Sequence, residues 1–150
     1  MSQIARFAAY AAAFERAYES DDWSEVGSYF ADDAVYEIGL PILGAERCEG
    51  RSAIVAWFKE VLDRFDRRFE TRELTLLEGP RQGGDEVWIR GTATYTARGV
   101  PDLVLTLAET IRFDGDEIVH LADHYTPEML EGTVRYVIEH RAALGMVLEV

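Results

Sequence analysis

The hydrophobic positions in the first part of the chain repeat with the period of an α-helix. Apolar residues between Ile4 and Tyr18 follow this spacing and predict a first helix over residues 3–19. Asp22, with Glu25 three residues later, predicts a capping box at the start of a short second helix. A turn at residues 32–33 then leads into a strand over 34–38. Apolar residues at helical spacing over 54–65 predict a third helix, after a loop at 39–50.

From residue 68 the hydrophobic period changes to two, which is typical of β-strands. Strands are predicted near 70–78, 86–97, 103–113 and 117–125, separated by turns rich in Gly, Asp and Pro. Thr126 and Pro127 begin a last helix, which Gly145 ends. Its predicted apolar stripe is Leu130, Val134, Val137 and Ile138.

This order of elements predicts an α+β fold. Three N-terminal helices would cover one face of a curved antiparallel sheet and enclose an apolar pocket, and a C-terminal helix would follow. Residues 1–150 are predicted to form one domain, because no linker, repeat or low-complexity segment interrupts the pattern.

The segment over residues 21–37, a short helix running into a strand after an amphipathic helix, resembles the cone-shaped superfamily of nuclear transport factor 2. That superfamily includes the SnoaL-like polyketide cyclases, ketosteroid isomerase and limonene epoxide hydrolase. The resemblance implies a shared pocket rather than a shared mechanism, because its members run different chemistries in one fold. The last helix is longer than many members carry, so it either covers the pocket mouth or packs on a second subunit.

Composition limits the classes of partner. Hydrophobic residues make up 48% of the chain and charged residues 29%, as in an ordinary globular domain. The net charge of −13 disfavours nucleic acid and anionic membranes. No apolar stretch approaches the roughly 20 residues of a membrane span, and no signal peptide is recognisable, which indicates a cytoplasmic protein.

Cysteine and histidine give no metal or cofactor site. The single cysteine, Cys48, cannot form an intramolecular disulfide and is predicted to be a passive thiol. His120 and His124 would lie roughly 13 Å apart on a strand, too far to share one ion. We therefore expect no metal and no cofactor.

Two acidic residues fall in otherwise apolar rows of the predicted strands. Glu109 shares a strand face with leucines and isoleucine, and Asp123 shares one with Leu121 and Tyr125. Burial disfavours the charged form of a carboxyl group and prepares it for acid–base work near neutral pH. A three-residue turn at 114–116 would make the two acids diagonal neighbours about 7–8 Å apart, whereas a two-residue turn at 114–115 would put them on opposite faces. The alternation of faces favours the first arrangement.

The last strand also resembles that of limonene epoxide hydrolase. In that comparison Asp123 falls on the catalytic base, and Tyr36 on the tyrosine that positions the attacking water. Ile89 and Gly91 occupy the places of an arginine and a second aspartate, and Ile38 replaces an asparagine. The resemblance therefore does not imply epoxide hydrolysis by that water-activating set.

The comparison with ketosteroid isomerase gives one match. Phe14 stands in place of the oxyanion-hole tyrosine and Ile38 in place of the base, so that only Glu109 falls on a family residue, the protonated acid of the oxyanion hole. The closest agreement is with the SnoaL-like pattern of one acid/base residue in an apolar cone. It implies Asp123 in that role, with Glu109 or Tyr36 as hydrogen-bond donor.

The predicted pocket has room for a ring-shaped, mostly apolar molecule. Gly91 and Ala93 point inward and are small, and the space above them suits such a ligand. The residues expected to bind it are Phe14, Ile38, Trp57, Ile89, Gly91, Tyr95, Leu107 and Leu121. The opposite sheet face carries Trp88, Arg90, Thr92 and Thr94, which no helix is left to cover, and this predicts a homodimer.

Two functions are compatible with these observations. The first is a cofactor-independent enzyme, an isomerase, cyclase, dehydratase or hydrolase, that uses Asp123 on an apolar cyclic or carbonyl substrate. The second is a non-catalytic ligand-binding or dimeric assembly module that uses the same pocket.

Overall fold

The computed structural model describes residues 2–148, and its elements confirm the predicted α+β fold. The elements follow along the chain as α1 (Gln3–Ser20), α2 (Ser24–Gly27), β1 (Phe30–Glu37), β2 (Arg47–Glu49), α3 (Arg51–Arg64), β3 (Thr71–Gly83), β4 (Glu86–Thr96), β5 (Leu103–Asp114), β6 (Glu117–His124) and α4 (Pro127–Leu144). Short 3₁₀ turns lie at Pro41–Leu43 and Asp66–Arg68.

The six strands form one curved, open sheet in the order β2-β1-β6-β5-β4-β3. All neighbouring strands are antiparallel except β1 and β6, which are parallel. Irregularities interrupt the pairing in β1, β3 and β6, and bulges of this kind bend a sheet. Helix α1 packs on β3 and β4, and α3 packs on β1 and β2. The curvature leaves a space between these helices and the sheet.

An aromatic cluster holds the N-terminal helices against β1. The ring of Phe58 in α3 lies 5.1 Å from the ring of Phe14, 5.8 Å from that of Trp23 and 5.5 Å from that of Tyr36, measured between centroids. Edge-to-face and tilted contacts of this kind add to the free energy gained by burying the rings. The cluster therefore fixes Tyr36 relative to all three helices.

The start of α2 differs from the predicted capping box. The Oδ1 atom of Asp22 accepts a hydrogen bond from the backbone N–H of Ser24 at 3.1 Å, two residues on. Glu25 does not reach back to the cap, because its carboxylate binds Arg16 with an Nη2–Oε1 distance of 2.5 Å. Trp23 occupies the cap position, but its side chain makes no hydrogen bond to the helix backbone. A local Asx turn and an ion pair to α1 therefore replace the capping box.

The region between α2 and α3 contains more strand than predicted. Strand β1 begins at Phe30, and Asp32 and Asp33 lie in an irregular part of it rather than in a turn. Within the predicted loop, Arg47–Glu49 pairs with β1. Three residues are too short to show a hydrophobic period, so the pattern could not reveal β2.

Helix α4 begins and ends as predicted, but its buried face differs. Thr126 Oγ1 accepts a hydrogen bond from the Met129 N–H at 3.2 Å, and Gly145 ends the helix with a φ of 66°. Ile138 is 54% exposed and so lies outside the buried stripe, whereas Thr133 is buried and donates to the Met129 carbonyl at 2.8 Å. Within residues 2–148, no helix is both long and apolar enough to cross a bilayer.

Candidate functional site

A cavity of about 390 Å³ lies between the concave face of the sheet and helices α1 and α3. Of the residues expected to bind a ligand, those that line this cavity are Phe14, Trp57, Ile89, Gly91, Tyr95, Leu107 and Leu121. Ile38 does not line it, because its side chain is 1% exposed and packs in the core. Apolar and aromatic walls of this size suit a small ring-bearing molecule.

Glu109 and Asp123 lie directly opposite each other on β5 and β6, and both line the cavity. This corrects the predicted diagonal arrangement. Asp114 pairs with Glu117 across a two-residue turn, and an extra residue in β6 at position 119 restores the alternation of faces. Side chains directly opposite in an antiparallel pair have Cβ atoms only about 4.5–5.5 Å apart. The two carboxyl groups are therefore closer than expected.

Tyr36 completes the group from the neighbouring strand. Strand β1 runs parallel to β6 and places Tyr36 beside Leu121, and its hydroxyl donates to Asp123 Oδ2 at 2.5 Å. The other oxygen, Oδ1, is buried and has no N–H or O–H partner within residues 2–148. Glu109 lies opposite Asp123, and it would be a donor to that carboxylate when protonated.

The electrostatics of the pair favour one shared proton. Burial raises the pKa of Glu109 well above its ordinary value, and the charge of Asp123 raises it further. Burial also raises the pKa of Asp123, but hydrogen bonds from Glu109 and Tyr36 stabilise its ionised form and oppose that change. Burial raises the pKa of Tyr36 as well, so that its hydroxyl stays a donor. Two adjacent carboxyl groups with separated pKa values are suited to be one acid and one base.

Gly39 keeps β1 close to Asp123, a role that the sequence analysis missed. Its φ is 72°, and a Cβ atom added there would lie 2.1 Å from the Asp123 carbonyl oxygen. Only glycine permits this close approach. Gly91 is similar, because a Cβ there would lie 2.9 Å from the Thr75 carbonyl oxygen. The small residue at position 91 thus serves the contact between β3 and β4 as well as the cavity.

A second polar group lines the cavity away from the acid pair, and it too was missed. It consists of Asp66, Arg72 and Glu15, joined by the hydroxyl of Tyr95. The alternation of faces along β3 could have identified this group, since Arg72 shares its strand face with two leucines. Glu109 and Asp123 were identified by the same signal, a charged residue in an otherwise apolar row.

The mouth of the cavity lies at the edge strand β3. Leu74 and Leu76 line the cavity although they are 54% and 56% exposed, so they mark its opening beside α1. No described residue of α4 lines the cavity. The helix instead lies behind Phe69, whose ring stacks on Tyr136 with centroids 6.3 Å apart. The alternative in which α4 covers the pocket mouth is therefore wrong.

The histidines and the cysteine lie apart from this group. His120 Nε2 lies 2.9 Å from Glu37 Oε2, and His124 Nε2 lies 3.0 Å from Thr110 Oγ1. Partial burial raises the pKa of the Cys48 thiol, which disfavours the reactive thiolate. Residues 2–148 contain no cluster of three or more His, Cys, Asp or Glu side chains arranged to hold a metal ion.

Comparison with known proteins agrees with this architecture. Residues 10–124 match the family model of the SnoaL-like domain. No curated protein matches the chain.

Several solved structures share the fold. An NTF2-like protein of unknown function from Burkholderia pseudomallei has a TM-score of 0.67 and 18% identity, covering 91% of this chain and 98% of that chain. An LEH-like epoxide hydrolase from M. tuberculosis has a TM-score of 0.60 and 18% identity, covering 89% and 93%. A protein with a ketosteroid isomerase-like fold from Catenulispora acidiphila, in complex with trimethylamine, has a TM-score of 0.59 and 23% identity, covering 81% and 88%. At these identities the likeness shows the fold alone.

Proposed function

The chain belongs to the SnoaL-like domain family, and we propose that it is a cofactor-independent enzyme that moves a proton on a small, apolar, cyclic or carbonyl-bearing substrate. One observation carries this proposal. A carboxyl pair, Glu109 and Asp123, lines an apolar cavity together with Tyr36, and burial raises the pKa of both acids. Perturbed acids in a cavity of ligand size are typical of acid–base sites.

Asp123 is the proposed base. Tyr36 occupies one lone pair of Oδ2, and the other lone pair of that oxygen is left for a substrate proton. When a C–H bond beside a carbonyl breaks, the proton passes to Oδ2 and the electron pair moves to the carbonyl oxygen. Asp123 becomes neutral when it takes this proton, and Glu109 or Tyr36 can then turn its one O–H from Asp123 to the resulting oxyanion. Return of the proton to a different atom of the substrate completes the reaction.

The site supports proton transfer but is compatible with more than one reaction type. Isomerase, cyclase, dehydratase and hydrolase chemistry can each begin with this step. Ile89 and Gly91 line the cavity where limonene epoxide hydrolase carries the charged partners of its base. This favours carbonyl substrates over epoxides, although an epoxide hydrolase is among the proteins of the same fold.

The test is turnover by matched variants. Cyclic ketones, polyketide-like esters and epoxides would be screened with the wild type, and any active compound then assayed with Asp123→Asn and Glu109→Gln. Acid–base groups typically contribute roughly 10²–10⁴-fold, so Asp123→Asn should lower kcat by that order with little effect on binding. Glu109→Gln should lower it less, since the amide still donates. Wild-type turnover by Asp123→Asn would refute the role of Asp123.

A non-catalytic binding module is the second candidate function. It is favoured by the absence, at Phe14, Ile38 and Ile89, of the polar residues that complete related active sites. Tight binding of several ring compounds without turnover of any would support this function and exclude the enzyme.

We also propose that the protein forms a homodimer through the outer face of the sheet. Leu77 and Val104 are each 45% exposed, and Trp88 is covered only in part by Arg81, whose guanidinium carbon lies 5.1 Å from the ring centroid. Exposed apolar side chains on an open sheet face favour a partner of the same kind.

A further inference from the structure

The second polar group of the cavity is built around Arg72. This residue begins the inward-facing row of β3, opposite Tyr95 on β4, and its side chain is 10% exposed. Nη1 donates to both carboxylate oxygens of Glu15, at 2.9 and 3.2 Å, and Nε lies 3.2 Å from Asp66 Oδ2. The guanidinium carbon lies 4.7 Å from the ring centroid of Tyr18. Two carboxylates and an aromatic face thus hold the guanidinium in one orientation.

Asp66 is in turn held from the other side. It is buried, and its Oδ2 accepts a hydrogen bond from the Tyr95 hydroxyl at 3.0 Å. Burial raises the pKa of Tyr95 well above its ordinary value, so the hydroxyl remains a donor. Arg72 therefore cannot turn away without losing its ion pair with Asp66 and its hydrogen bonds to Glu15.

Of the three nitrogens of this guanidinium, only Nη1 hydrogen-bonds to a residue in the range 2–148, and the buried Nε makes only its ion-pair contact with Asp66. Nε and Nη1 face the two carboxylates, whereas Nη2 makes no hydrogen bond with any residue in the range 2–148. Because Arg72 lines the cavity, the N–H groups of Nη2 and Nε that lack a hydrogen-bond acceptor are the donors that it can offer to a ligand. A buried, fixed donor discriminates strongly between ligands that do and do not accept its hydrogen bond.

We propose that Arg72 is a specificity-determining residue, and that the ligand of the cavity is a neutral ring compound with an acceptor oxygen on the side away from the acid pair. This rests on the proposed function only in taking the acid pair as the site of the reacting group. The oxygen is that of a ketone, ether or ester, since these accept a hydrogen bond without adding charge.

The two polar groups line the same cavity at different positions along β4. Tyr95, the partner of Arg72, and Ile89, the partner of Glu109, are six residues apart on the same face of β4. This corresponds to about 20 Å along the strand, and the long side chains shorten the gap between the polar atoms. The small residues Gly91 and Ala93 lie between them and leave space for a ring.

Charge argues for a neutral ligand. The single positive charge of Arg72 already faces the carboxylates of Asp66 and Glu15. Asp123 adds a further negative charge at the other end of the cavity. A ligand carboxylate would meet more negative than positive charge, whereas an ether or ketone oxygen would not.

The test compares two ligands that differ by one oxygen, 2-tetralone and 6-methoxy-2-tetralone. Binding is followed by intrinsic tryptophan fluorescence, because Trp57 lines the cavity. In the wild type the methoxy compound should bind about tenfold more tightly, as expected for a hydrogen bond from a charged donor. A third ligand with a carboxylate in place of the methoxy group should bind more weakly than the methoxy compound.

The matched variants separate recognition from folding. Arg72→Met alone would leave Asp66 buried without its cation, so the pair is also removed together as Arg72→Met with Asp66→Asn. Both should bind the two tetralones equally. The control is Arg67→Met, since Arg67 approaches Tyr18 with its guanidinium carbon 5.5 Å from the ring but does not line the cavity. It should keep the tenfold difference.

Each outcome supports or overturns the proposed role of Arg72 or the proposed ligand class. Equal affinity of the two tetralones for the wild type, including no binding of either, overturns the role of Arg72. A tenfold difference that survives in the double variant overturns it as well. Tighter binding of the carboxylate compound overturns the neutral ligand class. Asp123→Asn should retain the difference, so a failure of the proposed catalysis leaves this result intact.

Discussion

Replacing Glu109 with glutamine should make the folded protein more stable at pH 8 and less dependent on pH. Burial and the charge of Asp123 hold the pKa of Glu109 well above its ordinary value of 4.5. The folded state therefore keeps a proton that the unfolded chain releases. Wild-type stability should fall as the pH rises from the ordinary pKa toward the folded one. Glutamine does not titrate, and the variant escapes this loss.

The number of retained protons sets the magnitude. One retained proton gives a slope that approaches about 1.4 kcal/mol per pH unit within the window between the two pKa values. Glutamine has nearly the same size as glutamic acid, and its amide can still donate to Asp123 Oδ1. The difference in the free energy of unfolding should therefore grow with pH rather than stay constant.

The assay is urea unfolding of both proteins between about pH 4.5 and pH 8.5. Asp123→Asn should also raise the free energy of unfolding at pH 8, because it removes the charge repulsion within the same buried pair. Glu86→Gln, which changes an exposed carboxylate at the start of β4, is the control and should follow the wild type. If Glu109→Gln also followed the wild type at every pH, Glu109 would be ionised in the folded protein, and the shared proton would be refuted.

Three further predictions concern the supports of the site and the outer face of the sheet. Gly39→Ala should unfold the protein or displace Asp123, because the added Cβ would lie 2.1 Å from a carbonyl oxygen, whereas Gly115→Ala should cost only about 1–2 kcal/mol of left-handed strain in thermal or urea unfolding. Tyr36→Phe should lower the free energy of unfolding at pH 7 by about 1.5–3 kcal/mol, since it removes a hydrogen bond to a buried carboxylate, and an unchanged urea midpoint would contradict this. Sedimentation at tens of micromolar should show a dimer for the wild type and a monomer for Trp88→Lys, and a wild-type monomer would exclude the dimer.

The hydrophobic period was enough to predict the long elements and their order. The helices at each end and strands β4, β5 and β6 each bury one face, and β3 turns Leu74 and Leu76 toward the cavity, so that apolar residues recur at the period of the element. The same alternation placed Glu109 and Asp123 on the inner face. Where an element is short, as in β2, or where a strand is irregular, as around Asp32, this signal is absent.

The contacts that define the site depend on register, which the pattern does not specify to one residue. The direct pairing of Glu109 with Asp123 results from a two-residue turn combined with an extra residue at position 119. A turn and a bulge compensate for each other in the hydrophobic alternation, so both are invisible to it. The contact from Arg72 to Asp66 and Glu15 joins three elements and could not be read from any one of them.

The position of the acid pair is itself an argument for chemistry. The next inward pair on the same two strands is Ile111 with Leu121, and both are almost completely buried. An apolar pair at Glu109 and Asp123 would extend that packing without the cost of burying two carboxyl groups that disfavour each other's ionisation. The buried hydroxyl of Tyr36 and the close backbone contact at Gly39 further hold Asp123 in place. A costly buried acid pair that neighbouring residues hold so closely supports the proposal that the pair exchanges a proton with a ligand.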